Sequence, residues 1–213
     1  DILLVDPRRG RAERLLRTGS RHNTLLVTEQ CDQLCLMCSQ PPRKTHIDRF
    51  DAFARACRLA EPSATIGLSG GEPTLHKEQL FRFLEDVLSD RPDLSFHVLS
   101  NGQHFTQGDV DRMRAPTYRR VTWGIPLYAE NAETHDRIVG KPGAFARLHE
   151  SFGYLLRAGA RLEIRTVLIL DTMPELSALA RHVTRRLAHA EQWSLMGLEH
   201  AGFARRRWAS LAP

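Results

Sequence analysis

Three of the four cysteines in the 213-residue chain fall in one short run, Cys31-Asp32-Gln33-Leu34-Cys35-Leu36-Met37-Cys38, with the spacing C-x3-C-x2-C. Thiols this close together staple no long loop, so they make a poor disulfide framework. Thiolates on one tight loop can instead converge on a metal centre, either zinc or an iron–sulfur cluster. Three ligands from the chain leave one coordination position open, which suits chemistry on a bound molecule. A Cys3His zinc site with His46 as fourth ligand satisfies the same spacing and stays open at this point. The clustering points to a reducing compartment, so a cytoplasmic location is expected.

These thiols need elements to position them, and the periodicity supplies a strand-then-helix order. Strands are expected at 24–28, 65–68, 95–99, 121–127, 161–170 and 193–198. Helices are expected from about Asp48, with Phe50, Phe53 and Cys57 on one face, and then over 77–89, 108–114, 144–158 and 174–190. Successive βα units imply parallel strands joined by right-handed crossovers. Eight such units close a barrel of ~250 residues, whereas six are legible here. The expected fold is a single-domain α/β chain, an open, partial (β/α)6 TIM-like barrel, with a doubly wound sheet as the alternative. Residues 1–23 are expected to form an N-terminal extension and 24–199 the barrel core. Residues 200–213 read as a basic tail leading to a short or truncated C-terminal region. The unusual residues all follow strand ends, where such folds build their sites.

Composition narrows the classes further. With 42% hydrophobic and 26% charged residues the chain is an ordinary folded one, not a disordered one. No apolar run approaches the ~20 residues that span a bilayer, and the opening Ile2-Leu3-Leu4-Val5 is too short for a signal peptide. Asp1 in place of an initiator Met suggests a trimmed chain with flanking domains outside it. The net charge of +5 raises nucleic acid as a partner. It comes from Arg8, Arg9, Arg11, Arg14, Arg17 and Arg21 at the start and Arg205, Arg206 and Arg207 at the end. Only Lys44, Lys77 and Lys141 are lysines, and no aromatic interleaving accompanies the arginines, which argues against a nucleic-acid surface.

The cysteine spacing, followed by Gly70-Gly71-Glu72-Pro73 after the second strand, resembles the radical S-adenosylmethionine (radical SAM) superfamily from about Thr24 to Glu199. The resemblance implies that Cys31, Cys35 and Cys38 bind three irons of a [4Fe-4S] cluster whose fourth iron chelates SAM. It also implies that the reduced cluster cleaves SAM to a 5′-deoxyadenosyl radical that abstracts hydrogen from a substrate. Gly70, Gly71, Glu72 and Pro73 match the family's GGEP motif, which contacts the SAM amino group. Glycines allow close backbone approach and Glu72 can pair with an ammonium; the plain alternative is a turn with a surface glutamate. Ser100 and Asn101 match positions near the SAM ribose or carboxylate, against an ordinary Asn-Gly turn. Met37 stands where relatives carry an aromatic residue near the adenine, and its thioether can pack on a ring. Arg165 could pair with the SAM carboxylate, but a solvated charge on the helix-facing side of its strand is the preferred reading. Pro126-Leu127-Tyr128 replaces the family's usual Ser-Leu-Asp, so no ligand is carried over there. Cys57 reads as a buried core thiol, and His135-Asp136 as positioning the following helix.

More narrowly, Thr28-Glu29-Gln30-Cys31, Cys35 through Pro42, Pro126-Leu127-Tyr128 and Met196-Gly197-Leu198-Glu199 resemble a maturase of the His-Xaa-Ser system. That resemblance implies a peptide substrate with His-Xaa-Ser repeats, a second radical SAM maturase as partner, and a protein reductant. With no cysteine after Cys57, the chain is expected to hold one cluster. A radical SAM enzyme acting on a small molecule or tRNA would share every motif. A non-catalytic zinc or iron–sulfur module is the competing class.

Overall fold

The expected strands are short apolar runs bounded by glycine, proline or polar residues, the pattern of buried parallel strands. The computed structural model describes residues 1–20 and 22–213; Arg21 of the N-terminal arginine cluster lies outside the described residues. Six strands form one parallel sheet: β3 (His22–Thr28), β4 (Thr65–Gly70), β5 (Ser95–Leu99), β6 (Val121–Pro126), β7 (Arg161–Val167) and β8 (Gln192–Met196). They pair in strict sequence order from β3 to β8. A doubly wound sheet reverses its strand order at a switch point. This sheet never does, so the open partial barrel is the architecture, with β3 and β8 as its two edges.

Helices α1 (Phe50–Arg58), α2 (Lys77–Asp90), α3 (Gln107–Met113), α4 (Ala132–Val139), α5 (Ala144–Ala158) and α6 (Leu176–Arg186) lie between the strands. Alternation along the strands sorts the two faces of the sheet. Phe96, Val98, Trp123, Ile125, Leu162 and Ile164 are buried with Leu80, Phe81, Leu84, Leu148 and Phe152 of α2 and α5 in one core. Trp123 sits edge-on between Phe81 and Phe105, with ring centroids 6.0 and 4.9 Å away. Cys57 is fully buried in this core, and burial pushes its thiol up to about 12. The residues between these, His97, Gly124, Glu163 and Arg165, occupy the opposite, inner face.

Three stretches add elements that the sequence did not specify. Residues 1–23 carry an antiparallel hairpin, β1 (Ile2–Asp6) and β2 (Arg11–Leu16), whose Ile2, Leu4, Leu15 and Leu16 pack on the core. Helix α4 appears where only a positioning role for His135-Asp136 was expected; Asn131 Oδ1 accepts from Thr134 N at 2.9 Å and starts it. The basic tail forms two short helices, α7 (Gly202–Arg206) and α8 (Trp208–Leu211). Among the described residues, no helix is long and apolar enough to cross a membrane.

Candidate functional site

The site grows from the C-terminal ends of β3, β4 and β5. Beyond the last β3–β4 pair, Gly71 N donates to Thr28 O and Glu72 N to Gln30 O, both at 2.7 Å. This continues the strand contact up to the residue before Cys31. A Cβ on Gly70 (φ +134) would lie 2.1 Å from Thr28 O, and one on Gly71 would lie 2.1 Å from Gln30 O. The glycines are therefore needed for close approach, and what they approach here is the backbone that launches the cysteine loop.

Glu72 is completely buried. Its Oε1 accepts from Thr74 N at 2.8 Å, Thr74 Oγ1 at 2.5 Å and Ser100 Oγ at 2.8 Å, and its Oε2 accepts from Asn101 N. Burial raises its pKa against the pull of these donors. The side chain thus ties the β4 end to the β5 end, and it is no surface glutamate in a turn. Ser100 and Asn101 are brought to the same place: Gly102 N donates to Ser100 Oγ at 3.1 Å, and Gln103 N to Asn101 Oδ1 at 3.0 Å.

Asn101 also reaches the cysteine loop. Its Nδ2 donates to Asp32 Oδ1 at 2.7 Å and stands 4.0 Å from Cys31 Sγ. Asp32 Oδ2 accepts from Lys141 Nζ and lies 3.4 Å from His104 Nε2. Burial would raise the Asp32 carboxyl, but the bonds from His104, Lys141 and Asn101 outweigh it and hold it well below the usual carboxylate range. The loop is fixed further along by Leu34 N donating to Val139 O at 3.0 Å and Leu36 N to Ile138 O at 2.9 Å.

The three thiols are half-buried on this anchored loop. Burial pushes Cys31 up to about 11 and Cys35 up to about 12, and raises Cys38. Ionised Cys38 or Cys31 would raise Cys35 further. Such a set is costly as bare thiolates and is relieved by a cationic centre among them, which is the chemistry an iron–sulfur cluster offers. Among the described residues, no three His, Cys, Asp or Glu side chains converge at the spacing of one shared ion. Cluster cysteines each take a separate iron and need no such convergence. His46, the fourth ligand of the zinc alternative, pairs through Nδ1 with Thr28 Oγ1 at 3.1 Å and stacks on the ring of His76 at 3.7 Å, while its buried Nε2 has no hydrogen-bond partner.

Met37 is only 6% exposed, in a second apolar cluster with Tyr128, Ile138, Val139, Ile169 and Leu211. Tyr128 N donates to His135 Nδ1 at 3.4 Å, and burial brings His135 down to about 4. Asp136 accepts from Gly143 N at 2.6 Å and Phe145 N at 2.7 Å, placing the start of α5 as the sequence suggested.

The preferred placement of Arg165 is corrected. It lies on the inner face, not the helix-facing one, because Leu162 and Ile164 on either side of Glu163 take the core positions. Arg165 Nη1 donates to both Glu163 oxygens at 3.2 Å and its Nη2 reaches Met196 Sδ at 2.9 Å. Glu163 also accepts from Ser194 Oγ and lies 2.6 Å from His97 Nε2. A Cβ on Gly124 would meet His97 Nε2 at 2.8 Å and Arg165 Cδ at 3.0 Å, so the missing side chain lets these groups face each other across β6. Sequence reasoning missed Asp32, Lys141, His97 and Glu163; strand alternation could have found the last two.

Comparison with known proteins gives the family and the fold. Residues 25–183 match the Radical SAM superfamily. An AdoMet-dependent heme synthase from Methanosarcina barkeri (strain Fusaro / DSM 804) is 30% identical over 176 residues, covering 74% of this chain and 48% of that protein. The chain spans under half the length of the curated relatives it matches. The crystal structure of Streptococcus suis SuiB bound to S-adenosylmethionine superposes with a TM-score of 0.70 at 15% identity, covering 84% of this chain and 40% of that one. SuiB bound to its precursor peptide SuiA gives 0.69 at 14% identity, covering 84% and 39%. At those identities the likeness is one of fold. With three quarters of its length inside the family match and a C-x3-C-x2-C loop at the end of the first barrel strand, the chain belongs to the radical SAM superfamily, whose members use a [4Fe-4S] cluster and S-adenosylmethionine.

Proposed function

We propose that this chain is the catalytic core of a radical SAM enzyme that modifies a peptide, one carrying His-Xaa-Ser repeats. The observation that carries the catalytic part is the rim itself: three half-buried thiols on a loop bonded to Glu72, Ser100 and Asn101 through Gln30 and Asp32. In this reading Cys31, Cys35 and Cys38 hold the cluster. Gly70 to Pro73 present the main chain to the SAM amino group, with the Glu72 carboxylate bracing them from below. Ser100 and Asn101 border the ribose and carboxylate, and Met37 offers the adenine the exposed remainder of its side chain. When bound, the cluster and SAM supply the one-electron chemistry that removes a hydrogen atom from a substrate carbon. The protein's part is to hold the target C–H close to SAM and keep water out.

The peptide reading is supported by the sequence phrases around Cys31, Cys38, Tyr128 and Met196 and by a sheet that does not close on itself, with β3 and β8 as its edges. That face carries His97, Glu163, Arg165 and Ser194, groups able to hydrogen-bond a polar substrate. A fold neighbour, SuiB, has been solved with its precursor peptide. A protein reductant, a second radical SAM maturase and a reducing, cytoplasmic setting complete the proposal. One observation favours a second reading, a haem precursor as substrate: the sequence relatives are heme synthases.

The deciding experiment incubates anaerobically reconstituted protein with SAM, dithionite and either a His-Xaa-Ser repeat peptide or a haem precursor, read by mass spectrometry. A mass change in the peptide is expected. A change in the haem precursor alone selects the second reading, and SAM cleavage with neither altered removes both substrates.

A further inference from the structure

The sheet leaves a gap between its edge strands, and the tail crosses it. After β8 the chain turns back at Ala201 and lays α7 against the cysteine loop that follows β3. The contact is main chain on main chain. Phe203 N donates to Cys38 O at 2.8 Å. Gly202, at φ +52, sits so close that a Cβ there would lie 2.3 Å from Cys38 O and 2.5 Å from Ser39 O. Both neighbours are backbone atoms that cannot swing aside, and the positive φ disfavours any side chain on its own account.

The same segment is anchored beyond this point. Arg207 Nη1 reaches Leu36 O at 3.4 Å, and Leu170 N, past the end of β7, donates to Leu211 O at 2.9 Å. Ala204 and Leu211 are buried with Met37, the residue before Cys38. The cysteine loop is therefore held by different elements along its length. Asp32 is fixed by Asn101 and Lys141, Leu34 and Leu36 by the end of α4, and Cys38 by the tail.

We infer that Gly202 and Phe203 are positioning residues for the third thiol: the tail holds Cys38 in register with Cys31 and Cys35 and covers that side of the loop from solvent. This rests on reading the three cysteines as cluster ligands. Hydrogen bonding and solvent exposure around a cluster set its properties and its access to oxidants. A loosened Cys38 changes those properties even where the sheet stays intact.

The test replaces Gly202 by Val, which meets the Cys38 and Ser39 carbonyls, and separately Leu211 by Ala, which weakens the far anchor without touching the close contact. In the metal-free proteins, amide hydrogen exchange over residues 31–39 should rise by about tenfold in Gly202→Val and by less in Leu211→Ala, while the amides of β5 and β6 keep their protection. After reconstitution, the electron paramagnetic resonance spectrum of the reduced cluster should shift, and bleaching of the cluster in air should quicken roughly fivefold. Cys35→Ala runs alongside. If it loses iron while Gly202→Val and Leu211→Ala match the parent in exchange, spectrum and bleaching, the tail has no positioning role and the inference falls. If Cys35→Ala retains the parent's iron, the cluster reading fails and takes the inference with it. If Gly202→Val does not fold, Leu211→Ala decides by the same three readouts.

Discussion

The rim above β3, β4 and β5 and the wall made by β7 and β8 are built in opposite ways. The rim is braced from a buried base: Glu72 has no exposed surface and accepts from four donors, and Gly70 and Gly71 pack at the limit of backbone contact. The wall is charged and joined by side chains. Glu163 is buried and pairs with the partly exposed Arg165 and with Ser194 on the inner face, and β8 is an edge strand. A cofactor that is the same in every turnover is served by a preorganised rim. A substrate that must enter and leave needs a surface that is polar and accessible. In the proposed function the cofactor takes the rim side of the inner face and the substrate the wall.

The largest expected effect comes from breaking the rim at its closest contact. Gly71→Ala puts a methyl 2.1 Å from Gln30 O, so the cysteine loop has to move away from β4. SAM cleavage in the reconstituted variant should fall by roughly a hundredfold, measured as 5′-deoxyadenosine, because sub-ångström placement of the reacting groups is lost. The same substitution at Gly108 of α3, whose nearest neighbour is 3.7 Å away, should leave cleavage unchanged and sharpen the contrast.

Glu72→Ala comes next. It strands the donors of Thr74, Ser100 and Asn101 in a buried place, at a cost of about 3 kcal/mol of folding stability by urea denaturation. A loss no larger than that of a surface substitution would mean that the rim is less buried than the account requires.

Glu163→Gln probes the wall and carries a pH signature. Burial would raise the Glu163 carboxyl, but the Ser194 hydroxyl and the Arg165 guanidinium outweigh it and hold it below its ordinary value; His97, whose own pKa burial lowers, adds its charge only once protonated under acid. A depressed folded value contributes stability above the unfolded carboxylate range of about 4.3, and that contribution is lost as pH falls through the folded value. The stability advantage of the parent over Glu163→Gln should therefore be present at neutral pH and shrink under acid. An advantage that is flat with pH contradicts a charged wall.

The smallest effect is expected away from both regions. Arg49 pairs with Glu13 at 2.6 Å between the loop before α1 and the hairpin, with Glu13 half-exposed. Arg49→Ala should cost under about 0.5 kcal/mol and leave SAM cleavage untouched, as for most exposed ion pairs.

Much of the rim was legible in the sequence, because its residues are local. The cysteine spacing, the Gly-Gly-Glu-Pro run and Ser100-Asn101 each follow an expected strand, and the strand order followed from the βα alternation. The bracing of the cysteine loop was not legible. Asp32 is held by Asn101 and Lys141, 69 and 109 positions away in sequence, and only the folded chain brings them together. The hairpin was missed because β1 opens with a continuous apolar run, with Leu3 and Val5 left exposed, and half of β2 is charged. Arg165 was set on the wrong face because the apolar partners that fix the alternation, Leu162 and Ile164, were not used to assign it. The eight-residue helix α4 is too short for its period to stand out.

The central claim is that the three thiols on this rim hold a cluster that cleaves SAM. The direct measurement is anaerobic reconstitution with iron and sulfide, addition of dithionite and SAM, and quantification of 5′-deoxyadenosine by chromatography, with Cys35→Ala in parallel. The account predicts product from the parent chain and none above background from the variant. Bound zinc without iron, or equal product from Cys35→Ala, contradicts it.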